Sequence, residues 1–136
     1  MAEKVFKLEI VTPDRVVYSG NVESFSAPGT LGSFQVLYNH APMLTMITVG
    51  EIKVRDENGN DYRYATREGY VEVSSNEAIV VSEAVERSDE IDVERALASK
   101  KRAEERLSQR RPDLDIGRAK ASLSRAFNRL RIAGTK

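Results

Sequence analysis

A chain of 136 residues, 40% apolar and 31% charged, has the composition of a small globular protein, which excludes wholesale disorder and collagen-like repeats. With no cysteine and a single histidine it offers no disulfide, no thiolate chemistry and no multi-histidine metal site, and the longest largely apolar run, Ala41 to Gly50, is far short of the roughly 20 residues of a spanning helix. The net charge of zero conceals a division: up to Glu90 there are 8 Lys+Arg against 15 Asp+Glu, from Ile91 onward 13 against 6, so a segment of −7 precedes one of +7.

The first 85 or so residues read as short strands. Phe6, Leu8 and Ile10 alternate with Lys7 and Glu9, the period of a half-buried strand. Val16–Tyr18, Val22–Ala27, Phe34–Leu37, Leu44–Val49, Ile52 with Val54, Tyr62 with Tyr64, Tyr70–Val73 and Ala78–Val81 follow. Turn signals separate them at Thr12-Pro13-Asp14, Ser19-Gly20-Asn21, Pro28-Gly29-Thr30, Glu57-Asn58-Gly59-Asn60 and Ser74-Ser75-Asn76. Asn58-Gly59 is the strongest hairpin signal, because both residues tolerate positive φ. Such spacing predicts an antiparallel sandwich or barrel. The opening MAEKVFKLEI lacks the apolar core of a signal peptide, and the absence of cysteine fits a cytosolic protein.

The last 45 residues are rich in Ala, Arg, Glu, Leu and Lys and predict two helices broken at Arg111-Pro112-Asp113. Asp89 or Asp92 can cap the first, and Asp113 or Asp115 the second. Ile116, Ala119, Leu123, Ala126, Leu130 and Ala133 form a narrow apolar stripe, while the first helix has a thinner one of Val93, Ala96, Ala103 and Leu107, interrupted by Lys100. A shift of 23 residues lays Asp92, Arg95, Ala96, Ser99, Arg102, Ala103 and Arg106 onto Asp115, Arg118, Ala119, Ser122, Arg125, Ala126 and Arg129. Each helix thus carries Arg, Ser, Arg, Arg on one face, and an antiparallel hairpin brings several guanidiniums together.

Those faces have three readings from spacing alone: a solvated surface paired to Glu94, Glu104 and Glu105, a phosphate site, or a surface for an acidic protein. The second helix has only Asp113 and Asp115 of its own, both at its start, which weakens local pairing there. No Gly-rich phosphate loop, nucleophile elbow or metal spacing is present. The lone His40 reads as a hydrogen-bonded turn histidine, and Tyr62, Tyr64 and Tyr70 as strand residues.

The order of a β-rich part and an Ala/Arg-rich helical hairpin resembles the ε subunit family of bacterial F-type ATP synthases over essentially the whole chain. The resemblance rests on Val11-Thr12-Pro13, on Val17-Tyr18-Ser19-Gly20 with Val22-Glu23, and on Gly32, His40 and Pro42 within Gly32–Leu44. It rests also on Ile91-Asp92-Val93-Glu94-Arg95-Ala96 and Ser124-Arg125-Ala126-Phe127-Asn128-Arg129-Leu130. Ser33, Gln35 and Tyr38 depart from the acid, glycine and proline frequent in that family.

The resemblance implies a flattened ten-stranded β-sandwich over residues 1–87 and an antiparallel two-helix hairpin over 88–136. The sandwich would bind the γ subunit and the c ring through Ser33, Phe34, Val36, Tyr38 and His40, coupling ion-driven rotation to ATP synthesis. The hairpin would regulate, blocking ATP hydrolysis when extended into the α/β catalytic head through Arg118, Lys120, Arg125 and Arg129. ATP, without any requirement for Mg²⁺, would bind the folded hairpin through Glu86, Ile91, Asp92, Arg95, Ala96, Arg102, Arg106, Arg118, Arg125 and Arg129. The subunit would be non-catalytic and peripheral, held at the cytoplasmic face of the bacterial plasma membrane through the complex. Two other classes are disfavoured: a nucleic-acid-binding module, because the helices lack aromatic interleaving and the body is acidic, and a nucleotide-hydrolysing enzyme, because nothing supplies a phosphate loop or Mg²⁺-holding carboxylates.

Overall fold

A computed structural model describes residues 4–109 and 111–134. The chain divides into two compact units, one up to Arg87 and one from Ser88 onward.

The described residues of the first unit form nine strands: β1 (Phe6–Val11), β2 (Val16–Gly29), β3 (Gly32–Leu37), β4 (Met43–Ile47), β5 (Gly50–Asp56), β6 (Asp61–Thr66), β7 (Gly69–Ser74), β8 (Glu77–Ser82) and β9 (Val85–Arg87). Their order is β1-β8-β7-β4-β2-β5-β6-β9, with β3 paired to β2. β1 runs parallel to β8 and antiparallel to β2, so the network turns back on itself and encloses one core. The count of nine, where resemblance implies ten, has a local cause. Ser19-Gly20-Asn21 does not turn: β2 continues through it, pairing Glu9 with Ser19, Leu8 with Gly20 and Lys7 with Asn21. Its far half pairs with β3 and β5, and a register irregularity between Val22 and Ser24 lets one strand serve both halves. β9, too short to show a period in sequence, pairs with β6.

The core follows from alternation. Phe6, Leu8 and Ile10 on β1 are buried, as are Val22 and Phe25 on β2, Ile52 and Val54 on β5, and Val71 and Val73 on β7. Phe6 and Phe25 meet with ring centroids 6.0 Å apart. Asn58-Gly59 makes the predicted hairpin with Gly59 at φ 82°, and Asp56 braces it by accepting the N–H groups of Asn58 and Asn60, each at 2.9 Å. These bonds favour the carboxylate and hold Asp56 below its ordinary pKa, the Asn60 backbone bond contributing most. At Gly69 the backbone passes so close to β8 that an added Cβ would lie 1.9 Å from the Val81 carbonyl oxygen. Beside it a buried polar knot ties two turns: Thr66 donates to Ser82 at 3.2 Å, and the Ser82 hydroxyl lies 3.1–3.2 Å from the carbonyls of Arg67, Glu68 and Ala84.

The second unit opens with a 3-10 turn (Ser88–Glu90), followed by α1 (Val93–Gln109) and α2 (Ile116–Gly134). Of the alternative caps, Asp92 and Asp115 are used: Asp92 Oδ1 accepts the Arg95 N–H and Asp115 Oδ1 the Arg118 N–H, both at 3.0 Å. The same two residue types, 23 positions apart, make the same bond, so the sequence echo is also a structural one. Ala96 and Ala103 of α1 and Ala119 and Ala126 of α2 are buried in the seam, where small side chains let the helices approach closely. Ile116 and Val93 are about half exposed, and the stripe is supplemented by buried Ile132 and Asn128, which lie off it.

Candidate functional site

Two surfaces carry the residues singled out from sequence. On the first unit, the segment after Gly32 divides by strand alternation. Ser33 and Tyr38 are exposed, Phe34 and His40 half-buried, but Val36 is fully buried in the sandwich core. The Val36 side chain therefore supports this surface from beneath and contributes no contact of its own, a correction that the period of β3 dictates. His40 Nδ1 lies 2.7 Å from the Ala41 carbonyl, the satisfied turn histidine expected.

The loop that carries Tyr38 and His40 is held from a distance. Asn39 sits at φ 60° and donates its N–H to Asn76 Oδ1 at 2.8 Å, while Asn76 Nδ2 donates to the Val5 carbonyl at 3.1 Å. Asn76 is itself at φ 59°, a conformation Asn tolerates better than other side chains. One amide thus joins three segments.

Sequence reasoning missed an apolar patch on this unit. Leu44 and Met46 point outward from β4, Met46 pairs with Tyr70 across β7, and all three are exposed. The Thr30 N–H donates to the Met46 carbonyl at 3.1 Å, which brings fully exposed Leu31 alongside. A signal existed: Ala41–Gly50 is apolar without alternation, the mark of a strand covered on both faces.

On the hairpin, the shared repeat places the arginines. Arg95, Arg102 and Arg106 lie on one flank of the α1 alanine seam, and Arg118, Arg125 and Arg129 on the corresponding flank of α2. In two antiparallel helices whose seams face, equal offsets from the seam turn to the same side, so the six guanidiniums share one face of the hairpin. Lys100 lies over the Phe127 ring, 4.9 Å from its centroid, which fixes the register. That register sets Arg95 within about one turn of Arg129, and Arg106 within about one turn of Arg118. Arg125 and Arg129 are half-buried and the others exposed. The opposite flank presents Val93, Leu97, Ile116 and Phe127, each 45–50% exposed.

The residues expected to bind ATP are not all gathered. Ile91 and Ala96 are buried, Ala96 completely, so packing already occupies the apolar seat that they were expected to offer. Asp92 is exposed with one oxygen engaged as the cap. Glu86 belongs to β9 of the first unit, paired with Ala65. Arg106 and Arg118 lie with Arg111, Gln109, Asp113, Leu114, Asp115 and Ala119 around a cleft of about 410 Å³ at the turn end of the hairpin. Arg106 stands fourteen residues along α1 from Asp92, about 21 Å at 1.5 Å per residue. The described residues hold no cluster of three metal-ligating side chains, and no helix among them is long and apolar enough to cross a membrane.

Comparison with known proteins accounts for both units. A family model described as the beta-sandwich domain of the ATP synthase Delta/Epsilon chain matches residues 5–88, and one described as its long alpha-helix domain matches residues 89–134. An ATP synthase epsilon chain of Pelotomaculum thermopropionicum is 48% identical over 134 residues, covering 98% of this chain and 99% of that one. Another, of Desulforamulus reducens, is 39% identical, covering 96% and 98%. Among solved structures, the Euglena gracilis mitochondrial ATP synthase OSCP/F1/c-ring assembly contains a chain with TM-score 0.77 at 17% identity, covering 91% of this chain and 78% of its own. The central stalk and c-ring of Tetrahymena thermophila mitochondrial ATP synthase gives 0.60 at 16%, covering 93% and 95%.

Proposed function

The chain belongs to the ATP synthase Delta/Epsilon chain family, and from that premise we propose that it is the non-catalytic central-stalk subunit that joins the γ subunit to the c ring and regulates ATP hydrolysis. The observation that carries this reading is that both units match in order, over nearly the full length of relatives named epsilon chain.

The first unit is the coupling element. Ser33, Phe34, Tyr38 and His40 present the contact, Val36 backs it, and the Asn76 amide holds its loop. Leu31, Leu44, Met46 and Tyr70 extend it into an apolar area that a monomer leaves wet and a subunit interface covers. The hairpin is the regulatory element. Its alanine seam buries little area per turn, so separating the helices costs little, as an element with two arrangements requires. Extended, α2 would meet acidic surface of the α/β head with Arg118, Lys120, Arg125 and Arg129. Folded, it would hold ATP at the α1 N-terminal end: Asp92 accepts from adenine or ribose, and Arg95, Arg102, Arg125 and Arg129 grip the triphosphate. Guanidiniums alone neutralise the phosphates there, so Mg²⁺ is not required. The chain would sit at the cytoplasmic face of the plasma membrane through its complex.

The test uses the absence of native cysteine. Single cysteines at Ser33, His40 and Leu44 should crosslink to γ or c in intact assemblies, and a chain ending at Ser88 should still assemble while hydrolysis rises. An intact assembly with no crosslink from any of the three sites rejects the placement, and unchanged hydrolysis rejects the regulatory role.

A further inference from the structure

We propose that the cleft at the turn end of the hairpin is an anion site of its own, built for a small polyphosphate and separate from the nucleotide position. Arg106 enters it from the last turns of α1, Arg118 from the first turn of α2, and Arg111 from the connection between them. Two carboxylates also line it, but neither answers these charges. Asp115 Oδ1 already accepts the Arg118 backbone N–H, and no carboxylate among the described residues forms an ion pair with Arg106, Arg111 or Arg118. Three arginines lining one cleft without an ion-pair partner among the described residues repel one another, and a compact anion of two or more charges relieves that repulsion. The guanidinium fork matches phosphate oxygens in pairs, which favours a phosphate chain over a halide or a carboxylate. The volume, about 410 Å³, lies in the range of small-molecule sites, roughly 300–1,000 Å³.

Arg111 is the residue that separates this site from the one at the other end. It has no counterpart in the repeat shared by α1 and α2 and no part in the nucleotide set. Arg95 marks that other end, about 17 Å from Arg106 along α1 at 1.5 Å per residue. The cleft exists only while α1 and α2 lie together, because its walls come from both. Bound anion therefore favours the closed hairpin in proportion to its occupancy.

Calorimetry on the full chain with inorganic pyrophosphate in metal-free buffer tests the site. Wild type should bind, Arg111→Ala should weaken binding at this site roughly tenfold, the effect of losing one charge-assisted contact, and Arg95→Ala, which touches only the nucleotide position, should retain the binding event that Arg111→Ala weakens. Arg111 is exposed, and its loss leaves both caps and the seam intact; helical circular dichroism verifies this, and Arg106→Gln supplies a second variant with the same expected loss. No binding by wild type, or binding lost in Arg95→Ala but retained in Arg111→Ala, overturns the proposal. Crosslinking of the first unit to its neighbours is unaffected by either result, so the rotor reading is judged separately.

Discussion

Replacing Asn76 isolates how one side chain holds the surface proposed to meet the rotor. Asn76→Ala removes two hydrogen bonds to backbone, one accepted from Asn39 and one donated to Val5, each contributing about 1 kcal/mol. It also places a Cβ residue without a locally bonding side chain at φ 59°, which costs about 1 kcal/mol more. The sum is about 3 kcal/mol, and for a unit of this size that lowers Tm by roughly 12–24 °C. Asn76→Gly loses the same bonds but not the conformational fit, so it should fall by about 2 kcal/mol, or roughly 8–16 °C. All five tyrosines lie before Arg87, so near-ultraviolet circular dichroism of the full chain reports melting of the first unit with little signal from the hairpin. The expected order is wild type, then Gly, then Ala. A Gly variant as stable as wild type would show that the two bonds contribute nothing, and a Gly variant below Ala would show that the left-handed conformation is not what Asn supplies.

Ser82→Ala should cost about 1–3 kcal/mol in the same melting assay, because it removes the buried hydroxyl that lies within hydrogen-bond distance of the Thr66 hydroxyl and of the Glu68 carbonyl, while Thr66 keeps only its bond to the Arg67 carbonyl. Asp56, whose pKa is depressed from the ordinary 3.8, stabilises the β5–β6 hairpin above that value and loses the effect as pH falls through its lower folded pKa. The Asp56→Asn variant has no such titration, so melting temperatures of wild type and variant should differ most near neutrality and converge on acidification below pH 3.8. Arg95→Ala should abolish calorimetric ATP uptake if the nucleotide position is at the α1 N-terminal end, and uptake equal to wild type would remove it from there.

Much of the architecture was legible because local rules and the core agreed. The alternation of Phe6, Leu8 and Ile10 survives as buried β1, Asn58-Gly59 makes its hairpin, and each helix is capped by one of its two candidate aspartates, Asp92 and Asp115, which are also the pair that the 23-residue echo relates. Where sequence failed, long-range pairing had overridden a local signal. Ser19-Gly20-Asn21 reads as a turn, yet β1 holds it extended residue by residue. Of the site, residue types and their helical face were legible, and so were the marks of burial: Ala96 lies in the apolar stripe of its helix and the alternation of β3 turns Val36 inward, yet the motif match that marks both as contacts does not separate the residues that touch a partner from those that pack beneath. The Asn76 bonds join segments 37 and 71 residues apart, and nothing local announces them. The separation of Arg106 and Arg118 from Arg95 follows from helix length, which face-sharing alone conceals.

ATP-driven ion-gradient formation in membranes stripped of this chain tests the central claim most directly. The proposed role predicts that such membranes hydrolyse ATP without building a gradient, and that adding the purified full chain, or the chain ending at Ser88, restores it. Stripped membranes that pump as well as untreated ones would contradict a coupling subunit, as would failure of the bound, folded chain to restore the gradient.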